Sequence, residues 1–325
     1  MAHRIRVHQH GGPEVLQLEA YDLPAPGPGE ALVRHEAIGL NFIDTYHRTG
    51  LYPVPSLPFT PGLEGAGVVE AVGDSVADLR PGQRVAYAGA PLGAYADRRV
   101  VPADKLVPLP DAIGTDTAAA MMLKGMTVQY LLRQTYRVQA GETVLFHAAA
   151  GGVGLIFGQW AKHLGVTAIG TVGSEEKAEL ARAHGYAHVI NYKTEDFVAR
   201  VKEITGGEGV PVVYDGVGKA VFDKSLDCLS PCGLAVNFGN ASGPVDALNL
   251  LTLSAKGSLF VTRPTLMTYT RTRERLLACA HDLFDVVAQG AVKIEIHQRF
   301  PLAEAAEAHR ALESRATTGS SLLIP

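Results

Sequence analysis

The segment Phe146-His147-Ala148-Ala149-Ala150-Gly151-Gly152-Val153-Gly154 constrains this chain more than any other. The apolar run Thr143–His147 leading into it reads as a buried strand. Val153, Ile156, Phe157, Trp160, Ala161 and Leu164 then recur at helical spacing. A strand that turns through small residues directly into a helix is the phosphate-binding element of dinucleotide folds. The small residues let the backbone approach a pyrophosphate, while the free N–H groups and positive dipole end of the helix face the anion. Ala149 stands where the usual pattern has its first glycine. A Gly/Ala turn that merely packs a helix on a strand is the plainer alternative, and the strands that follow weigh against it.

Those strands alternate with helices. Thr167–Val172 is followed by a helix over Glu175–His184, and Val189-Ile190, Val210–Tyr214, Leu234–Phe238 and Ser258–Val261 read as further strands. Such alternation predicts a parallel sheet with crossover helices. Up to about residue 122 the texture differs. Short strands such as Glu30–Ile38, Gly67–Val72 and Gln83–Tyr87 are broken by Gly and Pro, as in Leu23-Pro24-Ala25-Pro26-Gly27-Pro28-Gly29. After Arg263-Pro264 come a helix (Arg271–Gln289), a strand (Ile294–Phe300), a helix (Ala303–Ser314) and a last apolar stretch, Leu322-Leu323-Ile324. The length, 325 residues, suits two domains. The predicted architecture is α/β: a doubly wound parallel-sheet domain over 126–263, inserted into a β-rich domain built from 1–125 and 264–325.

With 29 Lys and Arg against 33 Asp and Glu, the formal net charge is −4, and nucleic acid is not expected as the main ligand. No apolar run approaches the roughly 20 residues of a membrane helix, and Met1-Ala2-His3-Arg4-Ile5 lacks the apolar core of a secretory signal, so a cytoplasmic location is expected. Cys228, Cys232 and Cys279 make no disulfide framework and are expected to be free, buried thiols.

The second strand of the nucleotide domain selects the cofactor. NAD-binding folds place Asp or Glu at its end, to hold the ribose 2′-OH. Here it ends Gly170-Thr171-Val172-Gly173-Ser174, with no carboxylate. Gly173 leaves room, Ser174 offers a hydroxyl and Lys177 follows one turn on, while Tyr192 supplies a phenol after the third strand. Space and a cation suit a 2′-phosphate, which predicts NADPH over NADH. Against this, a lysine there is commonly solvated, and Glu175 and Glu176 offset its charge.

In the first half, Pro61-Gly62-Leu63-Glu64-Gly65-Ala66-Gly67-Val68-Val69 resembles the Gly-His-Glu region of the medium-chain dehydrogenase/reductases. Leu63 occupies the place of that family's zinc-ligating histidine. The resemblance implies further that zinc is absent, because no cysteine precedes Cys228 and the four-cysteine lobe is missing. No metal ligand is therefore assigned. Further motifs narrow the family. His10–Leu16, Asn41–Tyr46, Gly50-Leu51-Tyr52, Lys124–Thr127, His147–Gly154, Asn237–Asn240 and Gly319–Pro325 together are similar to the quinone oxidoreductases related to ζ-crystallin, above all the bacterial ones.

That resemblance implies a Rossmann domain, a GroES-like substrate domain and reduction of a quinone. It places Asn41, Phe42, Tyr46 and Thr127 at the nicotinamide end of NADPH, with Asn41, Tyr46 and Tyr52 as catalytic candidates. Tyr46 and Tyr52 would stack on a quinone ring and donate to its oxygens; packing alone is the competing reading for Tyr52, and Asp44 is read as structural. Ala150, Gly151, Gly152 and Val153 would meet the pyrophosphate. Gly173, Ser174, Lys177 and Tyr192 would hold the adenosine phosphate. Val217, Phe238, Gly239, Asn240, Ser242, Val261, Thr262 and Arg263 fall in loops after later strands, where doubly wound sheets bind ligands, and Arg315 would return to the cofactor from the tail. Surface ion pairs are the alternative for Arg263 and Arg315. A homodimer through Gly257–Val261 is expected. The competing functions are an NADPH-dependent enone or enoyl reductase, needing a specific acid at the α-carbon, and a secondary single-stranded RNA-binding or crystallin-like role.

Overall fold

Alternation of apolar and polar side chains makes the first part of the chain a set of strands, and it buries every second residue at the start of the longest of them, Glu30–Leu40. The computed structural model describes residues 1–89 and 91–325. In chain order the elements are β1 (Ala2–Arg6), β2 (Gln17–Tyr21), β3 (Glu30–Leu40), α1 (Phe42–Thr49), β4 (Glu64–Val72), β5 (Arg84–Ala88), β6 (Arg98–Pro102), β7 (Val107–Pro108) and α2 (Thr115–Tyr130). The parallel region follows with β8 (Thr143–His147), α3 (Gly152–His163), β9 (Thr167–Val172), α4 (Glu175–Ala183), β10 (His188–Asn191), α5 (Phe197–Ile204), β11 (Val210–Asp215), α6 (Phe222–Ser225), β12 (Leu229–Asn237), α7 (Leu250–Ala255) and β13 (Phe260–Thr262). The tail holds α8 (Leu266–Tyr269), α9 (Arg273–Ala288), β14 (Ile296–Pro301), α10 (Ala305–Glu313) and β15 (Ser320–Ile324).

Two units result. The first comprises Met1–Met126, Tyr269–Ala288 and Ile294–Pro325; the second comprises Thr127–Thr268 and Gln289–Lys293. In the first unit, the described strands form the β1–β2 hairpin and a seven-stranded sheet ordered β14-β15-β3-β4-β5-β7, with β6 also on β3. Its core gathers Ile5, Val33, Ile38, Leu40, Tyr87 and Tyr95 with Leu302, Ala305 and Leu323, so the tail completes the core that the first strands begin.

In the second unit six parallel strands run β10-β9-β8-β11-β12-β13. The order reverses between β8 and β11, which is the switch point where such sheets bind their ligand, beyond the carboxyl ends of the strands. Leu145, Ile169, Ile190, Val213 and Phe222 fill the core on one face.

Two expectations need correction. The last strand begins at Phe260 rather than Ser258, because Gly257 (φ 110°) and Ser258 (φ 58°) form a left-handed turn. Val261 and Thr262 therefore lie in β13 and not in a loop after it. Cys228 and Cys279 are buried and free, but Cys232 is exposed: it sits at φ 60°, in the part of β12 where the register with β11 slips.

Candidate active site

The phosphate turn explains its own missing glycine. The left-handed residue is Ala148 (φ 61°), and Ala149 N–H donates to Thr171 O (3.0 Å) on the next strand. Ala149 can carry its methyl group because β9 has Gly170 opposite, where a Cβ would come within 2.6 Å of Ala149 Cβ. At Gly154 a Cβ would meet the Ala148 and Ala149 carbonyl oxygens at 2.5 Å, so only glycine lets α3 pack this close to the turn. Gly151 caps α3 with extended backbone, and no side-chain cap hydrogen bond is made at the start of the helix. Its first N–H groups are thus available to an anion.

At the carboxyl end of β9, Gly173 admits its neighbour: a Cβ there would lie 2.6 Å from Tyr192 Oη and 3.6 Å from Lys193 Cε. Ser174 caps α4, its Oγ accepting the Lys177 N–H (3.3 Å). Burial, and then the Lys193 cation, lower the pKa of Lys177 against the pull of Glu176. Two like charges at the end of β9 with no carboxylate on the strand suit a dianionic phosphate. Lys193 was missed in the sequence, although it directly follows Tyr192.

The loops after β11 and β12 are laced together. Asp215 Oδ1 accepts the Val217 and Gly218 N–H groups (2.7 and 2.9 Å), and Asn237 Nδ2 donates to Asp215 Oδ2 (3.0 Å). Burial raises the Asp215 pKa against these hydrogen bonds. Ser242 Oγ donates to Val217 O (2.7 Å) and accepts Ala220 N–H (2.9 Å), while Arg263 donates to Asn237 O (2.9 Å). The Phe238 ring lies 5.7 Å from that of Phe146, tilted by 40°, and Phe146 leads into the phosphate turn. Ala150 to Val153, Gly173, Ser174, Lys177, Tyr192, Val217, Phe238 to Ser242 and Arg263 therefore all lie at the carboxyl edge of one parallel sheet. Val261 and Thr262 end its edge strand, and Thr127 lies buried in α2.

In the first unit α1 carries the other candidates. Asn41 precedes the helix; its N–H donates to Asp44 Oδ2 (2.9 Å) and its Nδ2 to Glu64 Oε2 (2.7 Å). Glu64 is fully buried and also accepts Leu123 N–H (2.7 Å) and the Lys124 ammonium (3.4 Å). Asn41 is thereby fixed by a carboxylate that the rest of the unit already satisfies. One turn along, Tyr46 packs on Tyr52 with ring centroids 5.1 Å apart, tilted by 59°. Phe42 is partly exposed, and Arg315 is an exposed residue in left-handed backbone (φ 58°) just after α10.

Behind α1 runs a buried polar chain. Arg48, 1% exposed, donates to His309 Nδ1 (2.9 Å) and through both terminal nitrogens to Glu313 (3.0 and 2.7 Å). An arginine cannot accept, so Nδ1 is the acceptor and Nε2 of His309 carries the proton toward Tyr95 Oη (3.0 Å). Tyr95 in turn donates to Asp44 Oδ2 (3.0 Å). Burial pushes Asp44 up to about 7, and burial followed by the Arg48 charge pushes His309 down to about 3. Asp44 anchors the start of α1, as its structural reading requires.

Leu63, 2% exposed, presents only hydrocarbon beside Glu64. Among the described residues no group of His, Cys, Asp and Glu is arranged to hold a metal.

Comparison with known proteins identifies the family. Residues 27–111 match the alcohol dehydrogenase GroES-like domain, and residues 152–284 match the zinc-binding dehydrogenase domain. A quinone oxidoreductase of Pseudomonas aeruginosa is 59% identical over 325 residues, covering all of both chains. The crystal structure of Escherichia coli quinone oxidoreductase complexed with NADPH superposes with a TM-score of 0.98 at 54% identity, covering 99% of this chain and 100% of that one. A 2-haloacrylate reductase from a Burkholderia species is 48% identical over 98% of each chain.

Proposed function

The chain belongs to the quinone oxidoreductases of the medium-chain dehydrogenase/reductase family, and from that membership we propose that it reduces quinones with NADPH and without a metal ion. The observation that carries the reading is the full-length likeness to quinone oxidoreductases, one of them with NADPH bound. The residues fit the cofactor. The start of α3, which has no side-chain cap, and the turn Ala150 to Val153 suit a pyrophosphate. Gly173, Ser174, Lys177 and Tyr192, with Lys193 added, suit a 2′-phosphate. Val217, Phe238, Gly239, Asn240, Ser242, Val261, Thr262, Arg263 and Arg315 complete the proposed cofactor set, and Asn41, Phe42, Tyr46 and Thr127 serve its nicotinamide end. When bound, NADPH supplies the hydride.

The chain's own residues have a smaller task than in a zinc alcohol dehydrogenase. A quinone already accepts electrons, so its carbonyl needs no Lewis acid. The quinone is assigned to the Tyr46–Tyr52 pair, whose ring centroids lie 5.1 Å apart: a flat ring would pack against them and its oxygens would accept from their hydroxyls. Asn41, pinned by Glu64 and Asp44, orients rather than transfers protons. One hydride and one proton convert quinone to hydroquinone, the proton coming from water or a tyrosine hydroxyl. The absence of a zinc ligand at Leu63 favours metal-free chemistry despite the name of the matching domain.

A second reading, reduction of an activated alkene, is favoured by the likeness to 2-haloacrylate reductase. Measuring kcat/KM with NADPH for 9,10-phenanthrenequinone and for 2-cyclohexenone decides between them. Higher efficiency with the quinone is expected; efficient enone turnover with no quinone turnover would overturn the proposal. A single-stranded RNA-binding or crystallin-like role is at most secondary for a chain of net charge −4.

A homodimer through the nucleotide-binding unit belongs to the same proposal. The edge strand β13 and helix α7 expose Phe260 (61%), Leu250 (74%) and Leu251 (73%), an apolar edge that a second copy would cover. The proposal also places the enzyme in the cytoplasm; no helix among the described residues is long and apolar enough to cross a membrane.

A further inference from the structure

The first unit holds an arginine-lined cavity to which the proposed quinone chemistry assigns no residue. It measures about 520 Å³ and is lined by Arg4 and Arg6 of β1, Tyr21 at the end of β2, Arg99 of β6, and by Thr60 and Leu92 among others. Residues two apart on a strand share a face, so Arg4 and Arg6 point the same way. The Arg4 guanidinium stacks 4.3 Å above the Tyr21 ring. Arg99, 8% exposed, is held by the Tyr87 hydroxyl (3.3 Å) and by the carbonyls of Pro91 and Leu92 (3.2 and 3.3 Å).

Among the described residues none of these three arginines forms an ion pair. The nearby acids are committed elsewhere. Glu19, which faces Arg6 electrostatically, bonds His8 (2.5 Å), and Asp97 takes the His3 N–H (3.0 Å). Arg98, the next cation along β6, pairs outward with Glu70 (3.0 Å). Only the exposed Asp22 carboxylate stands in the lining. Arg4 Nε is buried with no acceptor, and burial and the Arg4 charge both lower the pKa of Arg6. Arg4 and Arg6 repel one another across a concavity that Arg99 also lines, and Glu19 offsets that repulsion only at Arg6; a bound anion would relieve it.

We propose that this cavity is a binding site for a small organic oxyanion, a carboxylate or phosphate ester with an aromatic or apolar body. Guanidinium groups match the two-oxygen edge of either group. Tyr21, Leu92, Val100 and Pro24 provide a face for the body. The volume exceeds what a bare phosphate needs and falls within the range of small-molecule sites.

The test is calorimetric titration of NADPH-saturated protein at low salt with phenyl phosphate, benzoate and neutral benzyl alcohol. Saturation with NADPH keeps the anions off the cofactor's own phosphate sites. Both anions are expected to bind and the alcohol not to. Arg4→Gln/Arg6→Gln should weaken the anions by about tenfold or more while leaving the KM for NADPH and for quinone unchanged. Tighter phenyl phosphate marks a phosphate source, and tighter benzoate a carboxylate. Binding that is equal in the variant, or the same for alcohol and anion, overturns the proposal. Arg6→Gln alone, at a partly exposed position, supplies the same comparison should the double variant fold poorly.

Discussion

Replacing Lys177 by alanine should damage the use of NADPH and spare the use of NADH. A bond between a charged donor and a phosphate contributes about 1.5–3 kcal/mol. Lys177 is only partly buried and has Glu176 beside it, so the lower end applies, about 1.5 kcal/mol. That corresponds to about a tenfold rise in the KM for NADPH. Lys193 is exposed, and an exposed charge pair contributes no more than about 1 kcal/mol, so Lys193→Ala should add about threefold to fivefold. Tyr192→Phe removes a neutral hydroxyl, about 1 kcal/mol, with a similar effect. NADH has no 2′-phosphate, and its KM should stay within about twofold in all three variants. Steady-state kinetics with a fixed quinone and either nucleotide measures this. Equal losses with both cofactors would refute the assignment of the phosphate to the end of β9.

Three further outcomes follow from other parts of the structure. Arg48→Met removes four N–H contacts and leaves Glu313 and His309 without their partner, so urea unfolding should show a loss of about 3–5 kcal/mol; a loss under 1 kcal/mol would mean the buried chain behind α1 contributes little. His147 hydrogen-bonds Thr171 and Ser225 (2.9 Å each), and burial lowers its pKa from 6.5 to about 3, which keeps the ring neutral. The unfolded chain therefore takes up the proton first. The stability due to His147 is full above pH 6.5 and is lost as pH falls toward 3, by up to about 1.4 kcal/mol per pH unit. His147→Gln should flatten the pH dependence of unfolding in that window, and an unchanged slope would contradict the buried neutral ring. Phe260→Lys on the exposed edge should shift the mass measured by light scattering from twice 34.4 kDa to 34.4 kDa; a dimer that persists in the variant would move the interface away from β13.

How much of this was legible in the sequence depends on how local each signal is. The β8–turn–α3 unit is written in adjacent residues, and the structure places it where the pattern does, even with Ala149 in place of glycine. What the sequence does not display is that Gly170, on the next strand, makes room for that alanine. The α1 helix was not anticipated, because four of its eight residues, Asp44, Thr45, His47 and Arg48, are polar and yet buried, so its inward face does not read as apolar. Asn41 followed three residues later by Asp44 is a capping pattern that would have revealed it. The chain from Arg48 through His309 to Asp44 joins residues 261 apart in sequence at its first link, and nothing in either segment alone announces the partner. The start of β13 was misplaced because Gly257 and Ser258 turn left-handed before an apolar run that looks continuous.

The central claim is NADPH-dependent quinone reduction with no metal in the step. Its most direct test is NADPH oxidation by chelator-stripped protein, with 1,4-benzoquinone as acceptor and NADH run in parallel. Turnover that is undiminished by stripping and prefers NADPH is the predicted result. Activity that disappears with the chelator and returns with added zinc would contradict it.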